Sequence, residues 1–261
     1  MNIIKELIED INKNKKILKS FKLKNSLSPD IFEKINESYY LKKDIRKKLL
    51  EISDKFLDFL KIDFFVFDIH LTGSLSNYNW SKYSDIDLHI IYDMNELVSN
   101  QNDLKIYEEI IKEFFETKKK NWSLTTDIKI KNYEVELYVQ NINDKLLSSG
   151  IYSVLNDEWI VEPKKMKTPF EIDEEKILQK SQEFEKQIDD IINNEMNNDK
   201  KIKRIELIKN KLKKFRQSGL EKDGEFSYEN LTFKLLRRNG YIKKIMDIKT
   251  GTINKELSIK Q

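Results

Sequence analysis

His70-Leu71-Thr72-Gly73-Ser74-Leu75-Ser76-Asn77-Tyr78-Asn79-Trp80-Ser81-Lys82-Tyr83-Ser84-Asp85-Ile86-Asp87-Leu88-His89-Ile90-Ile91-Tyr92 is the stretch on which the reading of this chain turns. A Gly-Ser pair closes one apolar run, and an Asp-x-Asp opens the next, bracketed as Ser84-Asp85-Ile86-Asp87-Leu88. Alternate residues of a strand share a face. Asp85 and Asp87 are therefore expected side by side, with Ile86 and Leu88 directed into a core. Two carboxylates fixed that close repel each other unless a cation sits between them. Oxygen ligands of this kind suit Mg²⁺, which keeps several waters and is usually held by one or two carboxylates plus substrate phosphates. The neighbouring Gly-Ser turn offers backbone N–H groups to those phosphates, provided that a helix starts there. Metal and phosphate cradle together point to chemistry on a nucleoside triphosphate.

Outward from this stretch the sequence predicts a small sheet. Phe64 to Leu71 is dense in aromatic and β-branched residues and reads as a strand buried on both faces. Ser74 to Trp80 is expected to form a short helix, and Ile86 to Tyr92 the next strand. Asn95 to about Lys118 spaces Leu97, Leu104, Tyr107, Ile110, Ile111, Phe114 and Phe115 as a crossover helix. Thr126 to Lys131 and Tyr133 to Gln140 read as a hairpin turning near Asn132. In the second of these strands Val135, Leu137 and Val139 share one face and Glu134, Glu136 and Tyr138 the other.

At Gly73-Ser74 and, after ten intervening residues, Asp85-Ile86-Asp87-Leu88, the chain resembles the DNA polymerase β-type nucleotidyltransferase superfamily. The spacing is similar to that of poly(A) polymerases and terminal uridylyltransferases, and the order of elements extends the likeness to about residues 60–140. The resemblance implies an α+β fold: a small mixed, mostly antiparallel sheet backed by helices, flanked by N-terminal helices and a C-terminal helical domain. It implies a third acid on the strand after the hairpin, where Glu136 matches best, with Glu134 and then Asp127 as fallbacks. Asp85, Asp87 and Glu136 would hold Mg²⁺ (or Mn²⁺), and Gly73 and Ser74 would bind the triphosphate of the donor nucleotide. The reaction implied is transfer of a nucleoside monophosphate from a nucleoside triphosphate to an acceptor hydroxyl, with an RNA 3′ end as first choice. A protein, a small molecule or a second nucleotide are the other acceptors, and a catalytically idle fold that binds RNA or protein is the rival.

On either side lie helices. Ile3, Ile4, Leu7, Ile8 and Ile11 fall at helical spacing, and Ser28-Pro29-Asp30 reads as a helix start leading into Ile31–Lys61, as one long helix or two with a break near Asn36–Ser38. Beyond Asn143 the pattern is less regular, and Pro163 and Pro169 flank Lys164, Lys165 and Lys167 in a linker or surface loop. Helices are expected over 171–196, 200–217, where Ile202, Ile205, Ile208, Leu212 and Phe215 make the apolar stripe, and 228–244, with a polar tail from Thr250. The division expected is 1–61 for N-terminal helices, 62–145 for the catalytic core and 146–261 for the C-terminal helical region. In the helix over 200–216, nine Lys and Arg residues stand against Glu206 alone. Such a helix is either a solvated face or a track for polyphosphate or RNA.

Composition excludes other classes. With no cysteine and only His70 and His89, thiolate and histidine-rich metal sites are ruled out. The 48 basic residues nearly cancel the 45 acidic ones, so any affinity for nucleic acid must come from local clustering. No apolar run of membrane length and no secretory leader is seen, so no membrane partner is expected and a cytoplasmic location is the default.

Overall fold

The computed structural model describes residues 2–97, 104–144, 148–165 and 171–258. In chain order the elements begin α1 (Asn2–Lys19), β1 (Phe32–Ile35), β2 (Ser38–Leu41), α2 (Lys43–Leu60), β3 (Asp68–Thr72) and β4 (Ile86–Tyr92). There follow α3 (Met94–Leu97), α4 (Leu104–Thr125), β5 (Lys129–Ile130), β6 (Tyr133–Asn141), β7 (Ile151–Ser153) and β8 (Glu158–Val161). The remaining helices are α5 (Glu174–Asn193), α6 (Asn198–Asp223), α7 (Tyr228–Arg238) and α8 (Tyr241–Leu257). Two compact units result, residues 23–169 and residues 1–22 with 170–261. The boundaries expected at 61/62 and 145/146 both fall inside the first unit.

The first unit is built on a six-stranded sheet of order β5-β6-β4-β3-β7-β8. Only β4 and β6 pair in parallel, as crossover through α4 requires, and the other neighbours are antiparallel. This is the mixed, mostly antiparallel α+β sheet that the sequence predicts. On one face of β4, Ile86, Leu88 and Ile90 are fully buried, and they join Leu49, Phe56 and Leu60 of α2, Leu137 of β6 and Phe115 of α4 in one core. The β5–β6 hairpin turns through Lys131 and Asn132, both left-handed, as a two-residue type I′ turn demands.

Several expectations fail here for identifiable reasons. Residues 32–41 form a β-hairpin, not the start of a long helix: Asn36 turns left-handed and β1 pairs with β2. Its conformation is set from far along the chain. Phe32 stacks on Trp159 at 5.3 Å, and the Trp159 indole N–H donates to the Tyr39 carbonyl at 2.7 Å. Strand β3 begins only at Asp68, after an extended segment in which Phe65 and Phe67 are exposed. Strands β7 and β8 lie in a stretch that looks irregular in sequence. In α4, Tyr107 and Ile110 are exposed, so Phe115 and its neighbours carry the packing. Leu104's side chain, Lys167 and Pro169 lie outside the described residues.

In the second unit, α5, α6 and α8 enclose Phe184, Ile188, Ile205, Ile208, Leu212 and Ile245, with Leu236 of α7. Three residues of the stripe expected in α6, Ile205, Ile208 and Leu212, are buried. That helix runs past Gly219, whose missing side chain leaves room for Ser227 and Glu229 beside it, and stops at Gly224. Residues 250–257 are helical, where a polar tail was expected. In α1, Ile11 is exposed while Ile17, Leu18 and, just beyond, Phe21 are buried. The side chains of Ile3, Ile4, Leu7 and Ile8 lie outside the described ones.

Candidate active site

The face of the sheet opposite its core is polar, and strand register explains how it is assembled. Antiparallel and parallel partners share a face, so the pairs Thr72↔Asp87 and Asp87↔Glu136 set three polar residues in a row across β3, β4 and β6. One step along lies a second row, Ser153, His70, His89 and Tyr138. Asp85, Asp87 and His89 are all half-buried, in alternation with fully buried Ile86, Leu88 and Ile90. Asp87 lies on the polar face of β4, and Asp85 immediately precedes the strand.

Gly73 sits directly against this row. Its φ of +76° is left-handed, and a Cβ at this position would lie 1.9 Å from Asp87 Oδ2. Only glycine lets the turn approach that carboxylate. The Ser74 hydroxyl donates to Ser84 Oγ at 2.7 Å, and Ser84 Oγ also accepts the Ser81 N–H. The Gly-Ser turn is thereby tied to the residue preceding Asp85. The helix expected over Ser74–Trp80 does not form: residues 73–79 are turns and a bend. Side chains compete for the backbone there, with Ser76 Oγ donating to the Gly73 and Gly150 carbonyls and Asn77 Oδ1 accepting the Tyr78 N–H. A helix dipole is thus not part of any phosphate cradle here, and turn N–H groups must serve instead.

The candidate third acids separate clearly. Glu136 is paired with Asp87 across the strands, whereas Glu134 and Asp127 are exposed and both lie near Lys129, at 4.0 and 2.9 Å. The Glu136 carboxylate is already engaged. Tyr138 donates its hydroxyl to Oε2 at 2.5 Å, and Lys119 Nζ from α4 lies 3.8 Å from the same oxygen. Among the described residues no three His, Asp or Glu side chains converge tightly enough to hold a metal by themselves. Mg²⁺ does not require that, since two carboxylates with substrate phosphates and water complete its shell. Asp85 and Asp87, with the Gly73 backbone packed against one of them, fit that requirement.

Lys119 and Tyr138 escape the sequence reading, although each leaves a trace. Tyr138 is in phase with Glu136. Lys119 is one of three consecutive lysines, distinguished by standing four residues after buried Phe115. The Lys119 ammonium rests 3.2 Å from the centre of the Tyr138 ring, and His89 stacks on that ring at 4.5 Å and 9°. Gln140 Oε1 lies 2.7 Å from His89 Nδ1 and fixes the imidazole. Burial pulls the His89 pKa down to about 4, against the Gln140 hydrogen bond, so this ring is neutral at pH 7. Burial pushes the Tyr138 phenol up, and the charges of Asp87, Glu136 and Asp85 push it further, so it remains a proton donor. Burial also pulls Lys119 down, against the opposite pull of Glu136, Glu116, Asp87 and Asp85. His89 is therefore a strand-face support. His70 meets Asp68 at 3.3 Å, a structural pair completed by Ser153 Oγ donating to Asp68 at 2.8 Å.

The model of the nucleotidyltransferase domain family, of the DNA polymerase β-like superfamily, matches residues 49–153, from within α2 to the end of β7. No curated protein and no solved structure matches the chain. Among the described residues no helix is long and apolar enough to cross a membrane.

Proposed function

Residues 49–153 being a nucleotidyltransferase domain, we propose that the chain moves a nucleoside monophosphate from a nucleoside triphosphate to an acceptor hydroxyl, with Mg²⁺ or Mn²⁺ held at Asp85 and Asp87. The observation that carries this reading is the placement of Gly73 against the Asp87 carboxylate, in a gap that any side chain would fill. Divalent ions bound there supply charge neutralisation for the triphosphate and a lowered pKa for the attacking hydroxyl. Asp85 and Asp87 would hold those ions, from the first residues of β4 and the position just before it. The Gly73-Ser74 turn approaches the phosphates through its backbone, since the Ser74 hydroxyl is spent on Ser84. Glu136, paired with Asp87 across the strands and held through Oε2, would complete the metal shell or accept the acceptor's proton.

An RNA 3′ end is the acceptor we propose. Support comes from the spacing of Gly73-Ser74 and Asp85-Ile86-Asp87 and from α6, where Lys200, Lys203, Arg204, Lys211 and Lys214 are exposed around a buried stripe. Incubation with Mg²⁺, each triphosphate labelled at the α-phosphate, and bulk RNA tests it. Label in RNA supports the choice. Label only in protein, in a small molecule or in a dinucleotide rejects RNA and keeps the reaction class. The engagement of Glu136 by Tyr138 and Lys119 favours a second reading, an idle fold that binds RNA or protein. RNA binding indifferent to Mg²⁺ and to Asp85→Asn, with no label transferred to anything, would establish it.

A further inference from the structure

The Gly73-Ser74 turn is held from two sides, and each contact depends on a glycine. On one side Gly73 lies against the Asp87 carboxylate. On the other, Gly150 packs on the backbone of the same turn: a Cβ at residue 150 would lie 2.0 Å from the Ser76 carbonyl oxygen. It could not turn aside, since the Pro163 Cβ would be 3.2 Å away. The φ of Gly150 is not positive, so space alone excludes a side chain there. Backbone cannot retreat as the tip of a flexible side chain can, and only glycine allows so close an approach.

Strand register brings the two glycines together. β3 and β7 run antiparallel with Leu71 opposite Tyr152, and two steps further the same register sets Gly73 opposite Gly150. Residues 148–150, which lead into β7, are then fastened to the turn by side chains. Ser76 Oγ lies 3.0 Å from the Gly73 carbonyl oxygen and 2.8 Å from that of Gly150, and shares its one hydrogen between them. Asn77 Nδ2 donates to Ser149 Oγ, while Asn77 Oδ1 accepts the Tyr78 N–H. Ser76 and Asn77 are both buried, so these bonds are sheltered from water.

We propose that Gly150, Ser76 and Ser149 are positioning residues for the donor triphosphate: residues 148–150 form a backstop that fixes the Gly73-Ser74 turn against Asp87 and so sets how its N–H groups meet the phosphates. The proposal rests on the reading of that turn as the one that grips the triphosphate. None of the three touches substrate in this scheme, and each acts through the turn, Ser149 by way of Asn77. Residues 73–79 form turns and a bend in place of a helix. The rigidity that a helix would give comes instead from Gly150, 74 positions along the chain from Ser76.

Calorimetric titration of ATP with Mg²⁺ into the full chain, with a melting temperature for each variant, tests this without an acceptor. Gly150→Ala should weaken ATP binding about tenfold or more, because the turn has to move to admit the methyl group. Ser76→Ala, which adds no bulk, should weaken it about three- to tenfold. Ser149→Ala, at an exposed position where the fold is not at stake, should weaken it about two- to threefold, and Ser149→Thr, which keeps the hydroxyl, should restore it. Pro163→Ala loosens the packing behind Gly150 without touching the turn; it should lower the melting temperature and leave the affinity within about twofold. The Ser149 pair decides the matter even where Gly150→Ala fails to fold. Unchanged affinity in Ser76→Ala or Ser149→Ala, no recovery in Ser149→Thr, or a loss in Pro163→Ala as large as in Ser76→Ala overturns the proposal and leaves the function reading intact. Absence of ATP binding in the unaltered protein overturns both.

Discussion

The two faces of β4 differ by a single residue step, yet they are governed by different physics. On one, Ile86, Leu88 and Ile90 are removed from water and their contribution to stability scales with area buried. On the other, Asp87 and His89, with Asp85 just before the strand, stay half-exposed, and what matters is where charge sits. The core face explains why the strand holds still, and the polar face explains what it can be used for. Substitutions on the two faces should therefore separate stability from activity.

The largest effect is expected from Asp87→Ala. It should lower nucleotide transfer by about 10³- to 10⁴-fold, since a site that depends on charge stabilisation and alignment loses both. Its melting temperature should stay close to that of the unaltered protein, measured by thermal unfolding. Leu88→Ala one residue away should do the reverse. A cavity among fully buried residues costs about 2–5 kcal/mol, visible as a fall in melting temperature of roughly 5–15 °C, with activity per folded molecule largely kept. A Leu88 variant that loses activity without losing stability would blur the distinction between the faces.

Gly73→Ala probes the seam between them. Its Cβ would overlap the Asp87 carboxylate and sit in a left-handed conformation. The strain costs about 1–2 kcal/mol, while displacement of Asp87 should reduce transfer by roughly 10²-fold. The smallest effect is expected at the far end of β3. Burial pushes the Asp68 carboxyl up, but hydrogen bonds from His70, Ser153 and the Ile69 N–H outweigh it and hold the group below its ordinary value of 3.8. A carboxyl depressed in the folded state stabilises fully above the unfolded value, and that contribution is lost as pH falls below it through the lowered folded value. Asp68→Asn should thus cost about 1–3 kcal/mol at pH 7 and flatten the acid limb of the unfolding curve below about pH 4, with transfer activity unchanged.

The same comparison shows which parts of the molecule can be read directly from the chain. Strand β4 was legible because alternation between Asp85-Asp87 and Ile86-Leu88 is a local pattern with one solution. The β5–β6 hairpin was legible for the same reason, with Asn132 marking its turn. The β1–β2 hairpin was not, because Ser28-Pro29-Asp30 reads as a helix start just ahead of it. What makes a strand of Phe32 is Trp159, which no local window contains. Residues 74–80 misled in another way: a short helix was expected there, yet the side chains of Ser76 and Asn77 bind the backbone and hold a turn. Of the candidate site, the alternating acids and Gly73 were visible, whereas Lys119 was hidden among like neighbours until α4 was laid beside β6.

Calorimetric titration of ATP with Mg²⁺ into the unaltered protein and into Asp85→Asn asks most directly whether the polar face is a triphosphate site, and it requires no acceptor. Heat of binding that appears only with Mg²⁺ and vanishes in Asp85→Asn is the predicted result. Equal binding by the two proteins, or binding indifferent to Mg²⁺, would contradict it.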